Sequence, residues 1–397
     1  PDTAQELANR YHFDLYNRYP ITLTEGRGVY VKDTEGRQYL DALAGIAVNS
    51  LGHCHPRVVK AIQDQAARLI HISNLYYNEP QSKLAELLVN VSGLERAFFC
   101  NSGAEAVEGS IKLARKYGSL HDKSGPIISM ENSFHGRTLG TIAMGRQKYQ
   151  KGFAPIPEGF GRVPLNDIEA LEATVDDNTV AVIIEPVQGE GGIRPAEDSY
   201  LQAVRELCDQ HGTLLILDEI QCGIARTGKM FAYQHAGIKP DIVASAKALG
   251  GGFPIGAVIA REEVASAFEY GDHGTTYGGN PLACAAAFAA LSTIVEENLA
   301  EQAKKRGLYF KEKFGRVAEG WDAIKEIRGM GLMIGVELNF NGKKVVEQMM
   351  KRGVLSNCAS DTVMRLVPPL IISEKEIDTI IDVLVESIKE EETHAQA

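Results

Sequence analysis

The chain has 397 residues, 44% of them hydrophobic and 23% charged, with a formal net charge of -11; these are ordinary globular proportions in a chain long enough for a large catalytic domain and a smaller companion. No apolar run approaches the roughly 20 residues that span a bilayer as a helix, and positions 1–20 lack the basic-then-apolar order of a secretory signal, so the expectation is a cytoplasmic protein with no membrane partner. The acidic balance repels phosphate backbones and no basic stripe offsets it, which argues against nucleic acid, and the six cysteines lack framework spacing, as thiols in a reducing compartment do.

In chain order, His53-Cys54-His55 is the first feature that could hold a ligand. Alternating side chains can bind zinc, but no second pair completes four ligands and Pro56 is set to open a helix directly afterwards; no metal site is expected. A strand is predicted over 97–100 and a helix over 102–117, where Val107, Ile111 and Ala114 share a face and Ser102 with Glu105 forms a capping box. Between them, Asn101-Ser102-Gly103-Ala104 gathers unpaired N–H groups and the positive end of the helix dipole on one spot. An anion fits there, provided that Glu105 points away.

Short apolar runs at 181–184, 214–217, 242–244 and 257–260 predict strands buried on both faces of a mainly parallel sheet, separated by helices, and hence an α/β fold. The second run ends in Asp218 and Glu219, at the strand end where open α/β sheets hold ligands. A carboxylate there can keep a pyridine nitrogen protonated: at ~4 Å and an effective dielectric of ~20 the attraction is about 4 kcal/mol, or roughly 3 pKa units. A cap or a structural ion pair is the alternative for these two acids. Positions 223–230 nearly match the phosphate loop of nucleoside triphosphatases, but Met230 stands where a Mg²⁺-binding Ser or Thr belongs, and a nucleotide hydrolase is not expected.

Lys247 is the only charged side chain between positions 242 and 260, set among small and apolar residues and three consecutive glycines. Such surroundings disfavour the ammonium form, and a neutral amine is what attacks an aldehyde; a lysine snorkelling from the edge of a core is the alternative. After Pro281 a long helix is predicted through position 314, then an apolar segment around Gly335. A last helix is capped by Ser373 and Glu376, carries a stripe of Ile377, Ile380, Ile381 and Leu384, and turns polar over 390–397. Three parts are expected: an N-terminal segment, 1–50, packing with the small domain; a large domain, 51–285; and a small C-terminal domain, 286–397.

Asp218-Glu219-Ile220-Gln221, followed by Asp241-Ile242-Val243-Ala244-Ser245-Ala246-Lys247, closely resembles the signature of class III, fold-type I, pyridoxal 5′-phosphate (PLP)-dependent aminotransferases. Blocks at 52–56, 101–106, 134–138, 185–192 and 275–281 look like landmarks of the acetylornithine and ornithine branch, so the resemblance runs through nearly the whole chain. It implies a large domain with a mainly parallel central sheet plus a smaller α+β domain, and a homodimer with active sites at the subunit interface. It makes Lys247 the residue that condenses with the cofactor and shuttles the proton, and sets Asp218 on the pyridine nitrogen. Gln221 falls to the ring hydroxyl, Phe134 and Ile220 to the ring faces, and Ser102, Gly103 and Ala104 to the phosphate, with Thr276 reaching the neighbouring subunit's cofactor.

By the same resemblance Arg137 takes a substrate carboxylate, which suits the bidentate fork of guanidinium. Glu190 neutralises Arg365 for an ω-amino substrate and swings aside for 2-oxoglutarate, while Tyr16, Asn74 and Thr275 belong to the pocket wall. Ornithine aminotransferases carry a tyrosine where this chain has Ile46; without that hydroxyl an acylated α-amino group fits better than a free one. The expected donor is therefore N2-acetylornithine and the acceptor 2-oxoglutarate, as in arginine biosynthesis. Ornithine, succinyl-diaminopimelate or 4-aminobutyrate as donor, and a PLP-dependent aminomutase, are the alternatives.

Overall fold

Ala181–Ile184, Leu214–Asp218 and Ile242–Ser245 are buried at every position, which is why they read as unbroken apolar runs and not as alternating ones. In this computed structural model, which describes residues 2–395, they form the middle of a seven-stranded sheet. Edge to edge the order is Arg96–Cys100, Gly256–Ala260, Ile242–Ser245, Leu214–Asp218, Ala181–Ile184, Ile127–Met130 and Phe160–Val163. Gly256–Ala260 runs antiparallel to both neighbours, and the other pairings are parallel.

This topology positions the site. Asp218 lies level with Ala244 in the parallel pair. Cys100, the last residue of its strand, lies level with Gly256. Because one antiparallel strand separates Arg96–Cys100 from Ile242–Ser245, both run in the same direction, and the segments after Cys100, Asp218 and Ser245 emerge at one end of the sheet. The Gly103–Leu120 helix covers a face there with Val107, Ile111 and Ala114 at 3% exposure or less.

The helix predicted from position 281 through 314 is two helices. Pro281–Glu296 ends where Asn298 takes φ +50°, and Leu299–Ala318 leaves at 64° to it. The first half, rich in alanine, packs closely on Pro56–Ala66 and Glu79–Ser92, whereas the second packs on the C-terminal helix. The bend is set by those two separate docking surfaces. Among the described residues no single helix is long and apolar enough to cross a membrane.

Ile324–Met330, Met333–Leu338, Val363–Leu366 and Asn357–Ala359 form an antiparallel sheet in that order. A second sheet joins the N-terminal strands Leu23–Arg27, Tyr30–Asp33 and Gln38–Asp41 to Val354–Leu355. The last helix, Glu374–Ala395, begins with the capping box read from Ser373 and Glu376, whose N–H groups each bond the other's side chain; positions 396 and 397 of its polar end lie outside the described residues. The two decoys serve structural ends. His53 bonds Asp41 at 2.7 Å and His55 accepts from Arg57 N–H to cap the helix. In the 223–230 loop, fully buried Arg226 donates to the carbonyls of Leu332 and Pro368 at 2.9 and 2.6 Å, clasping the loop to the turn before Met333–Leu338 and to the segment after Val363–Leu366.

Candidate active site

At the common strand end lies a cavity of about 450 Å³, walled among others by Gly103, Phe134, Arg137, Asp218, Ile220 and Lys247. Lys247 stands one residue past the Ile242–Ser245 strand, after Ala246, with φ +45°, a left-handed conformation that a side-chain-bearing residue adopts at a cost. Its amine has no ion pair among the described residues. Burial pulls its pKa down to about 8 and the charge of Arg365 adds to this, against the opposing charges of Glu190, Asp218 and Glu185. A usable fraction of neutral amine therefore exists near neutral pH.

Asp218 and Glu219, adjacent on a strand end, point to opposite sides, as strand geometry requires. Asp218, 3% exposed, faces the cavity. It accepts from Ile220 N–H at 3.0 Å and from His135 Nδ1 at 2.7 Å. Glu219 turns into the protein, where it accepts from the N–H groups of Ala232 and Tyr233, and burial pushes its pKa up to about 7.

Behind Asp218 stands a buried chain of charges that the sequence did not announce. Burial alone pulls the His135 imidazole down, but the hydrogen bond and charge of Asp218, together with the charge of Glu185, more than reverse this and leave it raised. Glu185 is itself pushed up to about 7, by burial first and by Asp218, with His135 opposing. Its carboxylate accepts from Phe134 N–H at 3.0 Å and Gly189 N–H at 3.2 Å, so it fixes the turn that carries the cavity's aromatic wall. His135 lies within one of the blocks that resemble the family, yet its partner is 83 residues away and no periodicity singles it out.

Gly103 and Ala104 also line the cavity, and their N–H groups open the Gly103–Leu120 helix without acceptors among the described residues. A Cβ at Gly103 would sit 2.9 Å from the Ile220 side chain, so only glycine lets the turn and Ile220 approach this closely. Ser102 Oγ accepts from Glu105 N–H as expected. Glu105, however, does not point away: its carboxylate folds back to accept from Asn101 N–H at 2.8 Å. It thereby uses the Asn101 donor and leaves those of Gly103 and Ala104 for an anion. A half-buried amine, a buried carboxylate, two free N–H groups and apolar walls from Phe134 and Ile220 fit a flat, phosphorylated pyridine aldehyde.

Further out, Arg137 lies over the Tyr149 ring at 3.8 Å and the Phe134 ring at 5.3 Å. Those ring faces hold the guanidinium without neutralising it. Arg365, 1% exposed, bonds Glu190 at 2.5 Å, Asn357 at 3.0 Å and Gln221 at 3.4 Å. Burial raises the Glu190 carboxyl, but the charge and hydrogen bond of Arg365 outweigh it, and the carboxyl lies below its ordinary value.

Other expected residues stand outside this chain's cavity. Tyr16 is 72% exposed and Thr276 is exposed. Thr275 Oγ1 accepts from Asn101 behind the anion turn, and Asn74 donates to the Gly278 carbonyl at 2.8 Å. Ile46 is half-buried and does not line the cavity; Val48, two residues on, does.

Residues 14–388 match the family Aminotransferase class-III. The chain is 56% identical to the acetylornithine aminotransferase of Methanocaldococcus jannaschii, over 97% of this chain and 98% of that one. Among solved structures it is similar to the ornithine aminotransferase of Toxoplasma gondii crystallised with oxidised glutathione, which has partial occupancy of PLP at its active site (TM-score 0.95, 35% identity, 100% of this chain and 96% of that one). It is also similar to the N-acetylornithine aminotransferase of Stenotrophomonas maltophilia (TM-score 0.85, 38% identity, 98% and 99%).

Proposed function

The chain belongs to the class-III aminotransferases, and from that premise we propose that it moves the δ-amino group of N2-acetylornithine to 2-oxoglutarate, giving N-acetylglutamate 5-semialdehyde and glutamate. The observation that carries the reading is a pair of cations: Arg137, on the cavity wall with no carboxylate partner among the described residues, and Arg365, held by Glu190 and bonded to Gln221, which lines the same cavity. A donor with one carboxylate needs Arg137 alone. The acceptor has two, and needs both. The acetylornithine enzyme at 56% identity supports this donor more strongly than the ornithine enzyme at 35%.

PLP, the family's cofactor, supplies an aldehyde that condenses with amines and a pyridine ring that draws electrons. In this reading the chain's residues do the rest. Lys247 Nζ, when neutral, holds and moves the proton beside the ring. Asp218, oriented by His135 and Ile220 N–H, keeps the ring nitrogen protonated. Phe134 and Ile220 would pack against the ring, Gln221 would meet its hydroxyl, and the N–H groups of Gly103 and Ala104, with Ser102 capping the turn, would bind the phosphate. Substrates alternate in one site, so ping-pong kinetics follow.

The reading extends to a homodimer in which Thr276 serves the partner's cavity. Leu75, Tyr76 and Tyr77 expose three consecutive large apolar side chains, at 83%, 68% and 101%. Asn74 ties this surface to the backbone of Thr275 and Gly278, so Thr276 belongs to the same exposed patch.

Glutamate formation from a panel of acetylornithine, ornithine, succinyl-diaminopimelate and 4-aminobutyrate tests the function. Acetylornithine should give the highest kcat/KM; a better rate with ornithine would overturn the donor, and no glutamate from any of them would overturn the activity. Arg137→Ala should lower kcat/KM for both substrates by roughly 10- to 100-fold, the worth of a charged hydrogen bond, chiefly through KM. Unchanged KM values would remove Arg137 from carboxylate binding.

A further inference from the structure

Glu190 occupies Arg365 in this structure, and a dicarboxylate that engages both arginines must displace it. A carboxylate driven off its partner inside a protein is costly unless another cation receives it. Lys247 is committed to the cofactor in the proposed reaction. Of the cations that act on Glu190 among the described residues, this leaves Arg146, just beyond the Leu139–Met144 helix.

Its Nη2 donates to the Glu190 carbonyl at 2.6 Å and to Ser360 Oγ at 3.0 Å, and Ser360 Oγ donates to the same carbonyl at 3.1 Å. No carboxylate pairs with Arg146 among the described residues, and its Nε is buried with no partner. Glu190 sits at the tip of the hairpin formed by Val187–Gln188 and Arg194–Pro195. With its carbonyl pinned, rotation about the side-chain bonds redirects the carboxylate while the main chain stays in place. Arg146 contributes to the field that keeps this carboxylate ionised, alongside Arg365 and Lys247.

We propose that Arg146 is the second resting place of the Glu190 carboxylate: Glu190 pairs with Arg365 while the donor is bound and with Arg146 while 2-oxoglutarate or glutamate holds Arg365. The inference rests on the reading that the acceptor engages both Arg137 and Arg365. Arg146 is on these terms a positioning residue, acting on substrate choice through Glu190.

Each half-reaction of the holoenzyme is followed separately by rapid mixing, through the cofactor's absorbance, and glutarate, an unreactive dicarboxylate, is titrated by calorimetry. Arg146→Gln should weaken glutamate and glutarate by ~10-fold, the lower end for a charged hydrogen bond, and leave acetylornithine within about 2-fold. Arg146→Lys, which keeps the charge, should restore most of the loss. Ser360→Ala, which removes an uncharged contact to the same carbonyl, should shift neither substrate by more than about 2-fold. Equal losses for both substrates in Arg146→Gln, no rescue by lysine, or a glutamate-selective loss in Ser360→Ala would overturn the relay. If neither substrate changes the spectrum of unmodified holoenzyme, the proposed function falls and the relay with it; if both do, only the relay is at stake.

Discussion

Replacing Lys247 by methionine is expected to remove at least about 10⁴-fold of the transamination rate, since nucleophile and proton carrier are lost together, and at the same time to stabilise the apoprotein at pH 7. Methionine has nearly the shape of the lysine stem and no charge. The amine's pKa is pulled from 10.5 to about 8 in the folded chain by burial and by Arg365. Between those values the unfolded chain binds the proton and the folded chain does not, so folding is penalised below about pH 8 and the penalty fades as pH rises toward 10.5. It amounts to at most about 3 kcal/mol, because the half-buried amine keeps some water. Denaturant titrations of the two apoproteins should favour Met at pH 7 by a margin that shrinks by pH 10, other groups cancelling in the comparison. A wild-type apoprotein as stable as the variant at pH 7 would mean that this amine is not strained by its surroundings, and retained turnover would dismiss it from the chemistry.

The same isolation makes Lys247 legible from residue types alone. A charge by itself in a stretch of small and apolar residues has no stabilising reason to be there, and chemistry is the remaining one. The buried parallel strands are legible for a related reason, because residues covered on both faces leave a continuous apolar run. The break at Asn298 is not: the flanking segments, alanine-rich and then Leu-Ala-Glu-Gln-Ala-Lys-Lys, are good helix formers with neither Pro nor Gly between them, and only their separate packing partners divide them. The division of labour between Asp218 and Glu219 follows from strand alternation, but which acid faces the cavity depends on register with Ala244. His135 and Glu185 escape because each acts through a partner distant in sequence. Arg146 escapes because its contacts are to a carbonyl, which leaves no trace in residue type, and to Ser360, far away in sequence.

The largest effect after Lys247 is expected at Asp218. Asp218→Asn should cost on the order of 10³-fold in kcat, matching about 4 kcal/mol of attraction to a protonated ring nitrogen. Asparagine keeps an oxygen for Ile220 N–H and fills the same volume, so shape is preserved while charge is lost. The substitution also tests the chain behind it. His135 is raised because the hydrogen bond and charge of Asp218, with Glu185, overcome the downward pull of burial. With Asp218 uncharged the pull of burial has less to oppose it, so the His135 imidazole should lose its proton at lower pH than in the wild type, a shift readable in its nuclear magnetic resonance signals with or without cofactor. A kcat within about 10-fold of wild type would show that the oxygen suffices without the charge. An imidazole that titrates unchanged would instead place the source of its raised pKa at Glu185.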